Sequence, residues 1–72
     1  MLRQKFHLGE NYDFITLDKL LKVTRLVGSG GEAHLVIQEG MVEVNGKVEL
    51  QKRKKMRKGD FAAFNGETIT VE

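Results

Sequence analysis

At Gly40 the apolar residues of this 72-residue chain change period, and no other position restricts its fold so tightly. Before it, Ala33, Val36 and Ile37 recur at the i, i+3, i+4 spacing of one helix face. After it, Val42 and Val44 alternate with Glu43, as on a half-buried strand. Gly40 suits the C′ position that ends such a helix, because it enters the left-handed region without a Cβ penalty. Asn45-Gly46 then supplies the two positive-φ residues that a type I′ hairpin turn requires. A helix that runs through one glycine into a tight hairpin leaves few architectures open.

The flanking signals extend the pattern. Ser29 and Glu32 have the S-x-x-E spacing of a capping box and mark the start of the helix that Gly40 ends. Upstream, Leu17, Leu20 and Leu21 form one apolar face, with Lys19 and Lys22 opposite. Thr16 is the expected N-cap and Asp18 complements the helix dipole, so a first helix is predicted from about Leu17 to Val23 or Thr24. Leu26, Val27 and Gly28 are expected to turn the chain. Gln4 to Leu8 alternates and predicts a short strand, with Phe6 and Leu8 on one side. Beyond Asn45-Gly46, Val48 and Leu50 are assigned to the inward side of the returning strand. Lys58-Gly59-Asp60 reads as a turn, Phe61 to Phe64 as a strand, Asn65-Gly66 as a second hairpin turn and Thr68 to Val71 as the last strand. Parity makes Phe6, Tyr12, Phe14, Phe61 and Phe64 core candidates. Leu35 lies off the helix face, with the N-terminal strand as its candidate partner. The order is strand, helix, helix and several short antiparallel strands, an α+β pattern.

Composition bounds the rest. A chain of this size forms one domain, 1–72, with a modest core. It has no cysteine, so disulfides cannot support it, and His7 and His34 alone do not make a metal site. No apolar run approaches the roughly 18–20 residues of a membrane span. Arg3 and Lys5 are not followed by the apolar stretch of a secretory signal. A cytoplasmic monomer with no cofactor, no metal and no small-molecule substrate is expected. Ser29 has no evident histidine–acid relay, and no other residues assemble an active site, so no enzymatic activity is expected.

Charge is concentrated. Residues 52–58 read Lys52, Arg53, Lys54, Lys55, Met56, Arg57, Lys58, which is half of the 12 basic residues with no acid among them. The net charge is +2, so the other 65 residues sum to −4. Such a segment attracts a polyanion, because each neutralised phosphate releases condensed counterions. Charge falls on both parities of the run, so it is an edge or an exposed loop and not a central strand.

These elements together resemble a known family. Leu17-Asp18, Ile37-Gln38-Glu39-Gly40, Val42-Glu43-Val44-Asn45-Gly46 and Gly59-Asp60 are similar, in order, to the motifs of the S-four RNA-binding domain, or alpha-L motif. The resemblance covers about residues 14–64, and the chain looks most like the small stand-alone bacterial members. It implies a two-helix RNA-binding unit packed on a small, mostly antiparallel sheet, with structured RNA, ribosomal or transfer, as the usual target. Two departures matter: Thr16 stands where the family often has arginine, and Gly30 stands where arginine often follows the serine. They move weight from the helices to the basic run.

The candidate contacts are therefore Lys52, Arg53, Lys54, Lys55, Arg57 and Lys58, with Lys19, Lys22 and Arg25 as a flank. A second element is the start of the second helix, where Ser29, Gly30 and Gly31 leave backbone N–H groups uncrowded at a positive dipole end. His34 is a candidate for a base or a phosphate, and Lys47, beside the hairpin turn, for a further phosphate. The chain lacks an aromatic-rich strand for stacking bases, so recognition through shape and backbone is expected. A rival of another class is a protein-interaction module that docks an acidic partner on the basic segment.

Overall fold

The computed structural model describes residues 2–72. Nine elements follow one another: β1 (Leu2–Phe6), β2 (Ile15–Thr16), α1 (Leu17–Val23), α2 (Gly30–Gln38), β3 (Val42–Val44), β4 (Lys47–Val48), β5 (Lys55–Met56), β6 (Phe61–Phe64) and β7 (Glu67–Val71). Five strands form one sheet in the order β1-β7-β6-β3-β4, and β2 pairs separately with β5. All pairings are antiparallel except β1 with β7, so the α+β class with a mostly antiparallel sheet holds. The parallel pair ties the two ends of the chain together, and it continues past β1 as Glu72 N–H donates to the Phe6 carbonyl and Leu8 N–H to that of Glu72.

The core lies between the helices and one face of the sheet. Leu17, Leu20 and Leu21 of α1 and Ala33, Val36 and Ile37 of α2 are buried against Val42, Val44, Ala62, Ile69 and Val71. Phe6, Leu8, Leu26 and Phe64 pack at its margin. Both Asn-Gly turns form as predicted, with φ of 52° at Asn45 and at Asn65 and positive φ at Gly46 and Gly66. The first turn also explains a correction. A two-residue loop sets Lys47 opposite Val44 and Val48 opposite Glu43, so Val48 shares the solvent side with Glu43. Val48 and Leu50 are therefore exposed, not inward, and β4 is a two-residue edge strand. Leu35 is likewise exposed.

The two helices end alike. In α2, Met41 N–H donates to the Val36 carbonyl and Gly40 N–H to that of Ile37, which is a Schellman motif with Gly40 at φ 75°. In α1, Leu26 N–H donates to Leu21 and Arg25 N–H to Lys22, the same two bonds, with Arg25 at φ 63°. The turn thus begins at Arg25 and continues through the expected Leu26–Gly28 segment. An arginine there is strained, since its Cβ crowds the backbone in the left-handed region. Arg25→Gly is expected to stabilise the fold by about 0.5–1 kcal/mol, the relief of strain less the extra freedom of glycine when unfolded. That corresponds to a Tm rise of roughly 2–8 °C in a domain of this size, readable by thermal circular dichroism.

Candidate nucleic-acid interface

The basic run is held by its backbone, which leaves its side chains outside. Leu17 N–H donates to the Lys54 carbonyl (2.9 Å) and Asp18 N–H to the Lys52 carbonyl (3.0 Å). The start of α1 is thus capped by main-chain oxygens of the run. Thr16 occupies the predicted N-cap position but makes no side-chain cap bond. Further along, Thr16 faces Lys55 and Ile15 faces Met56 across the β2–β5 pair, and Met56 is fully buried. Lys52, Arg53, Lys55, Arg57 and Lys58 are exposed and Lys54 is half-buried. The run is an exposed loop with a two-residue strand, as its charge pattern requires.

A clamp closes its far end. Asn45 Nδ2 donates to Asp60 Oδ1 (3.1 Å), and Phe61 N–H donates to Asn45 Oδ1 (3.0 Å). Arg57 N–H donates to Asp60 Oδ2 (2.8 Å). This N–H bond, the Asn45 amide and the charges of Lys54 and Arg57 together outweigh burial and hold the Asp60 carboxyl below its usual range. The asparagine of the hairpin and the aspartate of the Gly59-Asp60 turn are therefore one bonded unit, although 15 positions separate them.

Lys19, Lys22, Gly30, His34 and Arg53 come together with Thr16 and Asp18 around an open groove of about 420 Å3 between α1, α2 and the run. Three lysine or arginine side chains face one carboxylate there. That carboxylate is engaged: His34 Nε2 lies 2.9 Å from Asp18 Oδ2, bridging the two helices. Burial raises the Asp18 carboxyl, but hydrogen bonds from the Thr16 hydroxyl, His34 and the Lys19 N–H, with the charge of His34, outweigh it and hold it below its ordinary value. Among the described residues, ion pairs join Lys5 and His7 to Glu72 and His34 to Asp18, and none involves a cation of the run.

The start of α2 differs from the open cradle expected of it. Ser29 Oγ accepts the Glu32 N–H (3.2 Å), half of the predicted capping box. The Glu32 carboxylate bends back to accept the Gly28 N–H (2.6 Å), so a negative charge already sits at the positive end of the helix. Gly30 lines the groove, and a Cβ added there would meet nothing within 4 Å. Gly31 is exposed, and neither it nor Ser29 lines the groove. Arg25 is exposed beyond the end of α1 and lies outside the groove. Lys47 is exposed on the β4 edge, next to the Asn45 clamp.

Aromatic residues hold the other surprise. Phe6 and Phe64 pack on the core as predicted, but Tyr12, Phe14 and Phe61 are exposed, Tyr12 to 68%. Tyr12 and Phe14 lie in the connection between β1 and β2, where strand parity does not apply. Lys55 Nζ stands 5.0 Å from the centre of the Phe14 ring, so this aromatic pair borders the basic run.

Comparison with known proteins gives one consistent answer. Residues 6–72 match the family described as the S4 domain. YbcJ from Escherichia coli K12 is 38% identical over 66 residues, covering 92% of this chain and 93% of that protein, and YbcJ from Shigella flexneri matches to the same extent. The solution structure of Escherichia coli YbcJ, described as having an alpha-L motif involved in RNA binding, superposes with a TM-score of 0.70 at 37% identity. The superposition covers 93% of this chain and 84% of that one.

Proposed function

We infer the function from one premise, that this chain belongs to the S4-domain family, and from the surface on which its cations lie. The protein binds RNA. The ligand is a structured RNA, ribosomal or transfer, held mainly through its phosphates and shape, and the protein acts as a monomeric accessory factor in the cytoplasm with no catalytic step of its own. No helix among the described residues is long and apolar enough to cross a membrane.

One observation carries the reading: six cations stand on a backbone bonded to the start of α1, and no carboxylate forms an ion pair with them among the described residues. Among the described residues, Asp60 alone feels the charge of this run, through Lys54 and Arg57, and cations not consumed in ion pairs retain their field for an external polyanion. Lys19, Lys22 and Arg53 in the groove would take one stretch of ribose-phosphate, and Lys52, Lys54, Lys55, Arg57 and Lys58 its continuation. His34 and Gly30 shape the groove between them. Arg25, Lys47, Ser29 and Gly31 are peripheral in this arrangement.

A salt titration with a duplex-containing RNA tests it. If the six cations of the run each meet a phosphate, log K falls against log salt with a slope of about −4 to −5, at roughly 0.7–0.9 per contact. A flat dependence, or no RNA affinity at low salt combined with affinity for an acidic polypeptide, would favour a protein partner instead.

A further inference from the structure

We propose that Tyr12 and Phe14 form a receptor for a single unpaired nucleobase of the RNA whose backbone lies on the adjoining cations. The inference rests on RNA being the ligand of that surface.

The site is a cleft of about 570 Å3 beside β2 and α1, walled by Phe6, Leu8, Tyr12, Phe14 and Val23, with Lys19 at its edge. Its size falls within the range of roughly 300–1,000 Å3 typical of small-molecule sites. Tyr12 and Phe14 also border a second depression that Arg57 and Lys58 share with Glu10 and Asp13, and Asp13 lines the first cleft as well. The two rings therefore stand between Lys19 on one side and the end of the basic run on the other. An exposed tyrosine in so small a domain contributes little to the core. Yet Tyr12 is held in place: its N–H donates to the Gly9 carbonyl (3.0 Å), and a Cβ on Gly9 would lie 3.1 Å from its Cδ2. Glycine at position 9 lets the ring lie against the backbone with its remaining surface free.

Around the two depressions Lys19, Arg57 and Lys58 outnumber the carboxylates Glu10 and Asp13, three to two, and the wall between them is aromatic. Cations at the rim hold phosphates, and an apolar aromatic wall between them suits the flat, uncharged part of a nucleotide. Bases in loops and bulges are already unstacked, and proteins that read structured RNA capture them on aromatic side chains. A paired base stays within its helix and could not enter.

The test uses two RNA hairpins, one with a perfect stem and one with a single-nucleotide bulge carrying 2-aminopurine. The wild-type protein is expected to bind the bulged hairpin more tightly by roughly 5- to 150-fold, the range of one base stacked on an aromatic ring, and to quench the 2-aminopurine. Tyr12→Ala should abolish the preference and the quenching while leaving perfect-stem affinity and the salt slope unchanged; Tyr12→Phe should retain both. Gly9→Ala, which crowds the ring, should reduce the preference in part. Equal binding of the two hairpins by the wild-type protein would overturn the proposal, as would an undiminished preference in Tyr12→Ala. If Tyr12→Ala weakened both hairpins equally, Tyr12 would be a general contact and the base receptor would fall. Failure of the wild-type protein to bind either hairpin would overturn the functional reading, and this inference with it.

Discussion

Replacing Arg53 and Lys55 together with glutamate is expected to lower RNA affinity by on the order of 30-fold at 0.1 M salt. Each phosphate contact contributes a slope of roughly 0.7–0.9, which between 1 M and 0.1 M salt amounts to about 5- to 8-fold, and two contacts multiply. Like-charge repulsion from the glutamates adds to the loss. The salt slope should become shallower by about 1.4–1.8. The fold should survive, because the run is fixed by the carbonyls of Lys52 and Lys54 and not by these two side chains. The one contact forfeited is Lys55 over the Phe14 ring, worth about 0.5–1 kcal/mol at an exposed site. Filter binding and urea denaturation on the same preparation would separate the effects. Unchanged affinity would move the interface to the helix face around Lys19 and Lys22.

That double variant probes a feature already legible in the sequence. The cationic run, both Asn-Gly turns, the Gly40 terminus and the leucine face of α1 depend on local rules, in which a residue's conformation or solvation is decided by its neighbours in the chain. Whatever crosses the chain was hidden. His34 and Asp18 are 16 positions apart, and nothing near either one announces the other. The cap of α1 by Lys52 and Lys54 carbonyls leaves no side-chain signature, since any residue has a carbonyl; Thr16 drew attention only because its side chain could have done the same work. Arg25 is a different case. The end of α1 at Val23 and its cap at Thr24 match the expectation, but without a glycine nothing marks Arg25 as the residue in the left-handed region.

The inward assignment of Val48 and Leu50 had the means of its own correction. A type I′ loop of two residues fixes Lys47 opposite Val44, which sends Val48 to the solvent side. Hydrophobicity alone places Val48 inward, but register governs the fold. Tyr12 and Phe14 differ for the opposite reason: they lie in a connection without a pleat, where alternation carries no information about facing. Leu35, Val48 and Leu50 show the same limit, since an exposed leucine or valine is common and carries no message alone.

Met56 is where local and long-range signals meet. It is the one apolar residue within the run and the only buried residue between Val44 and Ala62, so its side chain adds a core anchor to the backbone bonds that tie the run to β2 and α1. Met56→Ala is expected to cost about 2–5 kcal/mol, from lost transfer free energy and the cavity left beneath β5. A domain of 72 residues has roughly 4–11 kcal/mol in total, at about 0.05–0.15 per residue, so the variant should lose at least about a fifth of its stability, about half at mid-range, and show a lower urea midpoint. Met56→Leu conserves volume and should cost less than about 1.5 kcal/mol. In RNA binding, Met56→Leu should match the wild-type protein. Met56→Ala, assayed where it is still mostly folded, should bind more weakly, because a loosened loop must be reordered on the ligand. If Met56→Ala left both the midpoint and the affinity unchanged, the segment would be held by the β2–β5 pair and the α1 cap alone.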